Sequence, residues 1–411
     1  MATARTTVLK YYAFRAVTTP GFMWPVSVLY LVSNGVSYAT LALGSSAMAL
    51  LTVLGEVPTG YVGDRLGRRD TIRVAQSLFA LYPLTLLYAR GPATVVAAYC
   101  VLGMAETLQS GAGSAFLYDA LDSHDDADRY THVEGRGTAI RLWVLAATMV
   151  AGGLMYAVEP MLPFVASAGM GAAGFLIAST FPASGETPDG DDALRVREAI
   201  DVIRSELLTA DIRRFIALFA IAAAVGRSAR SYFQPIAVDS ITPLLSGVAV
   251  AGHALPETAV LGVAYASFTV CGALVSDHVS AVESALGPIT GVVVAYVLDA
   301  LAMVAVVVSP LFVLPMMVVH RVVVTVTMPL QKNYVNQRIG SAGRATILST
   351  LSMLGALARA PIGLAAGVGA DRFGPALAVG SLGLLLLVAT LAVKVGGTGS
   401  GSTAENGTVA D

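Results

Sequence analysis

Apolar runs of about 20 residues recur along this chain from one end to the other, and each is long enough to cross a hydrocarbon core ~30 Å thick. Cut at charge clusters and Gly/Pro breaks, the chain yields spans at residues 12–33, 37–62, 71–89, 93–118, 137–158, 161–181, 212–236, 258–277, 287–308, 311–334, 344–368 and 375–395, about twelve in all. Composition agrees, with 55% hydrophobic and only 13% charged residues. Inside a bilayer every backbone polar group must be satisfied within its own segment, so runs of this length predict an all-α polytopic membrane protein. Cys100 and Cys271 both lie inside apolar runs and read as packing residues. Residues Met1 to Lys10 are mildly basic and are followed by no small-residue cleavage site, which reads as an uncleaved first span.

Orientation follows from the basic residues. With a cytoplasmic N-terminus, the inner loops hold Arg65, Arg68, Arg69, Arg73, Arg129, Arg136, Arg195, Arg197, Arg204, Arg213, Arg214, Lys332, Arg338 and Arg344, against Arg90 and Arg372 outside. The positive-inside rule then puts both termini in the cytoplasm. A polar, acidic break at residues 182–192 is followed by Val196, Ile200, Ile203 and Leu207 on one helical face, which reads as a cytoplasmic linker with a surface amphipathic helix or as a simple solvated linker. The expected domains are therefore 1–181, a linker 182–211, 212–395, and a disordered Gly/Ser/Thr-rich tail 396–411.

Between the second and third runs stands the cluster Gly60-Tyr61-Val62-Gly63-Asp64-Arg65-Leu66-Gly67-Arg68-Arg69. It resembles the G-x-x-x-D-R-x-G-R-R signature that the major facilitator superfamily, a group of secondary transporters, carries between its second and third membrane helices. The resemblance is to prokaryotic members, with no subfamily assigned. It implies the major facilitator fold, two six-helix halves that alternate access to the two sides of the membrane. It also implies a gating role for Gly60, Gly63, Asp64, Arg65, Gly67, Arg68 and Arg69, with the Asp64 charge facing the start of helix 11, near residues 343–345. Asp119, in Leu117-Tyr118-Asp119, is the first carboxylate expected to pair with these arginines; the bland alternative is that they only set topology. A similar run, Gly367-Val368-Gly369-Ala370-Asp371-Arg372-Phe373-Gly374, follows the eleventh span and is expected to be a different turn.

An ionisable residue at mid-span costs roughly 2.5–3.5 kcal/mol on insertion scales, so one that persists marks a cavity or a partner. Glu106, Arg227 and Arg321 lie inside spans 4, 7 and 10, which line the central cavity in the superfamily that the signature resembles. Glu106 is the protonatable candidate, Gln109 holds it or the substrate, and the two arginines suit an anionic group or neutralise Glu106. Glu56, Asp299 and Arg359 are secondary candidates. The alternative is a set of internal ion pairs that fix helix positions. Arg15 is expected to snorkel to the headgroups. The carboxylates of residues 119–134, beside His124 and His132, read as a solvated loop and not as a metal site.

The function expected is secondary transport of a small solute, coupled to H+, at the plasma membrane, by a monomer in contact with lipid and with no cofactor or nucleic-acid partner. Span 5 reads Ala151-Gly152-Gly153 and lacks the G-P pair of drug exporters, and residues 181–184 lack the P-E-S-P-R run of sugar porters. A transport-inactive receptor or scaffold on the same fold is the alternative. No nucleotide-binding loop, metal-ligand array or nucleophile with a base appears, so an enzyme is not expected.

Overall fold

A computed structural model of the chain describes residues 4–19, 21–109, 112–122, 126–182, 210–245, 249–250, 253–254, 256–338 and 344–398. The helices are α1 (Ala4–Val17), α2 (Ser27–Ser33), α3 (Tyr38–Leu66), α4 (Arg68–Leu87), α5 (Pro92–Gln109), α6 (Ala112–Asp122), α7 (Tyr130–Val158), α8 (Leu162–Ser179), α9 (Ala210–Leu245), α10 (Glu257–Ser276), α11 (Val279–Leu286), α12 (Pro288–Val308), α13 (Val313–Arg338), α14 (Arg344–Phe373) and α15 (Pro375–Thr398). A two-residue antiparallel pair, β1 (Ala249–Val250) and β2 (His253–Ala254), sets Val250 opposite His253. Each apolar run read from the sequence falls on one of these helices or on a consecutive pair.

Among the described residues, eight helical segments are long and apolar enough to cross a membrane, within α3, α7, α8, α10, α12, α13, α14 and α15. Their large apolar side chains point outward as well as inward: Leu54 is 72% exposed, Trp143 71% and Val308 83%. That pattern would aggregate in water and is what hydrocarbon solvates. The protein is a polytopic membrane protein.

The first span departs from expectation. It is not one helix over 12–33 but two, α1 and α2, with turns at residues 21–26 between them. The fourth is likewise read as α5 and α6, which flank residues 110–111. The amphipathic linker helix lies outside the described residues, as does the tail beyond Thr398; residues 396–398, assigned to that tail, continue α15.

The chain forms two compact units, Met1–Asp189 with Ser231–Val270, and Gly190–Arg230 with Cys271–Asp411. The first is centred on Met23, Leu31, Leu41, Tyr82, Leu86 and Phe164, all buried. Close backbone approach here uses glycine. A Cβ on Gly152 of α7 would lie 1.9 Å from the Phe22 carbonyl oxygen, and one on Gly153 would lie 2.1 Å from that of Thr258 on α10. The Thr258 hydroxyl then donates to the Gly153 carbonyl at 2.9 Å. In the second unit, Gly380 and Gly383 of α15 admit Val307 and Met303 of α12 in the same way.

Three helix pairs are joined by a single glycine in the positive-φ region: Gly67 (φ 76°) between α3 and α4, Gly287 (φ 72°) between α11 and α12, and Gly374 (φ 90°) between α14 and α15. No side chain tolerates this geometry well. The runs Asp64-Arg65-Leu66-Gly67 and Asp371-Arg372-Phe373-Gly374 each end on one of these glycines.

Gly153→Ala is expected to destabilise the protein by about 1–3 kcal/mol through overpacking. Gly169→Ala on α8, where an added Cβ meets nothing within 4 Å, should be neutral or stabilising by up to about 1 kcal/mol. The measurement is the temperature at which the detergent-solubilised protein loses its monodisperse peak; equal values for the two variants would show that the α7–α10 approach tolerates a methyl group.

Candidate functional site

The signature begins on α3, whose residues 56–65 have backbone positions but no described side chains. Glu56, Gly60, Gly63, Asp64 and Arg65 therefore take a place in the fold, at the C-terminal half of α3, and nothing more. Gly67 turns the chain, and α4 opens with Arg68, Arg69, Asp70 and Arg73. The Arg68 guanidinium lies 2.5 Å from an Asp119 carboxylate oxygen on α6, both side chains about one-third to one-half exposed. That joins the α3–α4 turn to the end of α6. Arg69 and Arg73 turn instead to Asp70, at 3.1 and 3.0 Å. Hydrogen bonds from Arg73 and Arg69 hold the Asp70 carboxyl below the usual carboxylate range. A depressed acid stabilises the fold above its ordinary range and ceases to do so as pH falls through its folded value.

Close to this seam, Glu134 of α7 accepts a hydrogen bond from the Tyr11 hydroxyl and lies 3.6 Å from Arg15. Arg15 also donates to the Thr138 hydroxyl at 2.9 Å. Arg15 therefore braces α1 against α7. Glu134, assigned to a solvated loop, belongs to a helix and to this brace.

Deeper in the same unit, Glu106 is exposed on α5 and acts electrostatically on Tyr82, which is buried on α4. Gln109 does not stand by as a free ligand: its Oε1 accepts from Nε2 of the buried Gln76 on α4 at 2.9 Å. Gly174 on α8 makes room for Gln76, since a Cβ there would lie 2.3 Å from its Oε1. The structure thus ties Gln109 to α4, and Glu106 lies exposed one turn before it on α5.

Gln234, passed over in the sequence, closes the broken first span. It is buried on α9, and its Oε1 accepts from the backbone N–H groups of Val28 at 2.8 Å and Leu29 at 3.1 Å. Its Nε2 donates to the Trp24 carbonyl at 2.8 Å. The first N–H groups of a helix have no partner within it, and in a bilayer no water supplies one. The signals were present in Pro20-Gly21 and Pro25, which interrupt the apolar run, and in a glutamine within span 7.

In the second unit, Asp299 of α12 and His320 of α13 are both buried. The His320 Nδ1 lies 2.9 Å from Asp299 Oδ2 and 3.3 Å from Oδ1. Arg321, the next residue, lies against α10, where a Cβ on Gly272 would be 2.6 Å from its Nε. Arg359 is buried on α14, whereas Arg227 is exposed on α9. Asp299 was read from the sequence; His320, a lone histidine inside an apolar span, was not.

The sequence model of the Major Facilitator Superfamily matches residues 13–360. The chain belongs to the Major Facilitator Superfamily. Among curated relatives of this superfamily it is 24% identical to the Uncharacterized MFS-type transporter YxaM of Bacillus subtilis (strain 168), over 61% of this chain and 62% of that protein's length. Among solved structures, the nucleoside transporter NupG superposes with a TM-score of 0.78 at 11% identity, covering 96% of this chain and 99% of that one. A POT family transporter in complex with a thioalcohol-conjugated peptide gives 0.66 at 13% identity, covering 95% and 96%. A D-xylose-proton symporter gives 0.61 at 13%, also covering 95% and 96%. At these identities the structures establish the superfamily's fold for this chain.

Gln234→Leu removes three hydrogen bonds from the broken span at nearly constant volume. It is expected to cost at least about 2 kcal/mol, since each buried group left without a partner costs about 1–3 kcal/mol. The melting temperature of the purified protein would report it, and a variant as stable as the parent would mean that water reaches Trp24, Val28 and Leu29.

Proposed function

We propose that the protein is a secondary active transporter that moves a small polar solute by alternating access, with H+ as the coupling ion. Its two six-helix halves, 1–181 and 212–395, carry the exchange of access, with both termini in the cytoplasm, as a monomer in the plasma membrane. The observation that carries the reading is the α3–α4 junction. In a chain of this superfamily, Gly67 makes a turn that only glycine accepts readily, and Arg68 latches it to Asp119 on α6. Such a half-exposed ion pair contributes little to stability, about 0–1 kcal/mol, which suits a contact that is made and broken in a cycle. Asp64, with Gly60 and Gly63, is the gating element beside it.

Glu106, exposed on α5, is the proposed contact for solute or proton, and Arg227 and Arg321 suit an anionic substituent. Proteins of similar fold are named for nucleosides, peptides and D-xylose-proton symport, and these three classes define the first solutes to try. One observation favours a second reading. Asp299 and His320 are hydrogen-bonded to each other, as polar side chains that only fix helix positions would be in a transport-inactive receptor or scaffold.

The discriminating experiment is uptake of nucleosides, dipeptides and pentoses by purified protein in liposomes, with and without an imposed pH gradient. Gradient-dependent uptake that is lost in Glu106→Gln is the expected outcome. Asp64→Asn should lower the rate on the order of tenfold, equivalent to about 1.4 kcal/mol on the barrier, in a protein that remains folded in the membrane. Absence of flux for every class would favour the scaffold, and full gradient dependence in Glu106→Gln would make that carboxylate structural.

A further inference from the structure

The Asp299–His320 pair has a setting that a simple brace does not require. Both residues sit inside apolar segments, Pro288–Val308 and Pro310–Tyr334, that are long enough to cross the membrane. Both are almost completely buried, with side chains 4% and 8% exposed. The imidazole is seated by a missing side chain: a Cβ on Gly226 of α9 would lie 2.7 Å from His320 Cε1. Within the second unit, α12, α13 and the part of α9 before residue 231 thus converge on one titratable ring.

We propose that Asp299 and His320 together form a proton-binding site, the place where the coupling ion of the transport cycle is carried in this unit; this rests on the transporter reading above. The chemistry is that of one shared proton. With a neutral imidazole donating from Nδ1 to the carboxylate, the pair carries one negative charge. One proton taken from water onto the ring makes it neutral overall, as imidazolium with carboxylate, and its release to water restores the first state. Histidine is the side chain whose charge changes in the physiological range, and a carboxylate in contact keeps a protonated ring acceptable in low dielectric.

The other ionisable groups on the surrounding elements are few. Tyr296 lies one turn before Asp299 on α12 and accepts a hydrogen bond from the Gln331 side chain of α13. Glu283 on α11 accepts from Asn333. Arg359 is buried on α14, and Arg227 is exposed on α9. Residues 375–393 of α15, which packs on α12, contain no titratable side chain. Arg321 follows His320 directly and is directed to Gly272.

The test needs no solute. Protein labelled with 15N-histidine is placed in lipid nanodiscs, and its five histidines are followed by NMR from about pH 5 to about pH 9, the range that spans histidine's charge change. His320 is identified by the resonance missing in His320→Gln. The expected result is a ring that changes protonation state within this range, keeps doing so in Asp299→Glu, and stays neutral in Asp299→Asn. A wild-type ring that holds one state throughout, neutral or charged, overturns the site, as does a titration unchanged in Asp299→Asn. If Asp299→Asn does not fold, the wild-type and Asp299→Glu titrations still decide between a change of state and a fixed one. Flux assays fail or succeed independently: gradient-driven uptake with a silent His320 would leave the transporter reading standing and remove this site alone.

Discussion

Hydrocarbon supplies no hydrogen bonds, and most of what is specific in this structure answers that constraint. Continuous helices satisfy their own backbones and need only an apolar surface. Where the first span breaks between α1 and α2, the backbone groups of Trp24, Val28 and Leu29 are met by one side chain, Gln234. Where ionisable side chains are buried, Asp299 meets His320. Where side-chain amides are buried, Gln76 meets Gln109. Helix packing without a hydrophobic drive between helices depends on close approach, which Gly152, Gly153 and Gly262 provide along α7 and α10.

The architecture was legible because its signal is composition sustained over about 20 residues, and side chains facing lipid obey the same rule as those facing the core. The positions of the helices followed from it, and the superfamily from ten residues of sequence. Interruptions were less legible. Pro20, Gly21 and Pro25 were there to be read, but a window long enough to find a membrane span averages over them. Gln234 and His320 were missed because each is one polar residue in an apolar run, and its meaning depends on a partner distant in sequence.

The charged residues divide along similar lines. Arg68 and Asp119 come together on the page of the structure as the motif's chemistry would lead one to look, because both sit at helix ends where the fold itself limits their choices. Arg15 was read as a lone cation near an interface, and its carboxylate, Glu134, was read as part of a loop, since the start of α7 was placed several residues too late. Gln109, expected to serve Glu106 or the solute, is held by Gln76 on a neighbouring helix that no periodicity could have named.

In the transport cycle proposed above, solute and proton move together through this protein. The most direct measurement traps a pH indicator inside proteoliposomes with no imposed gradient and adds nucleosides, dipeptides or pentoses outside. Coupled transport predicts that one of these solutes, moving down its own gradient, changes the internal pH. Solute entry with no pH change in the same vesicles would show that the two are not coupled.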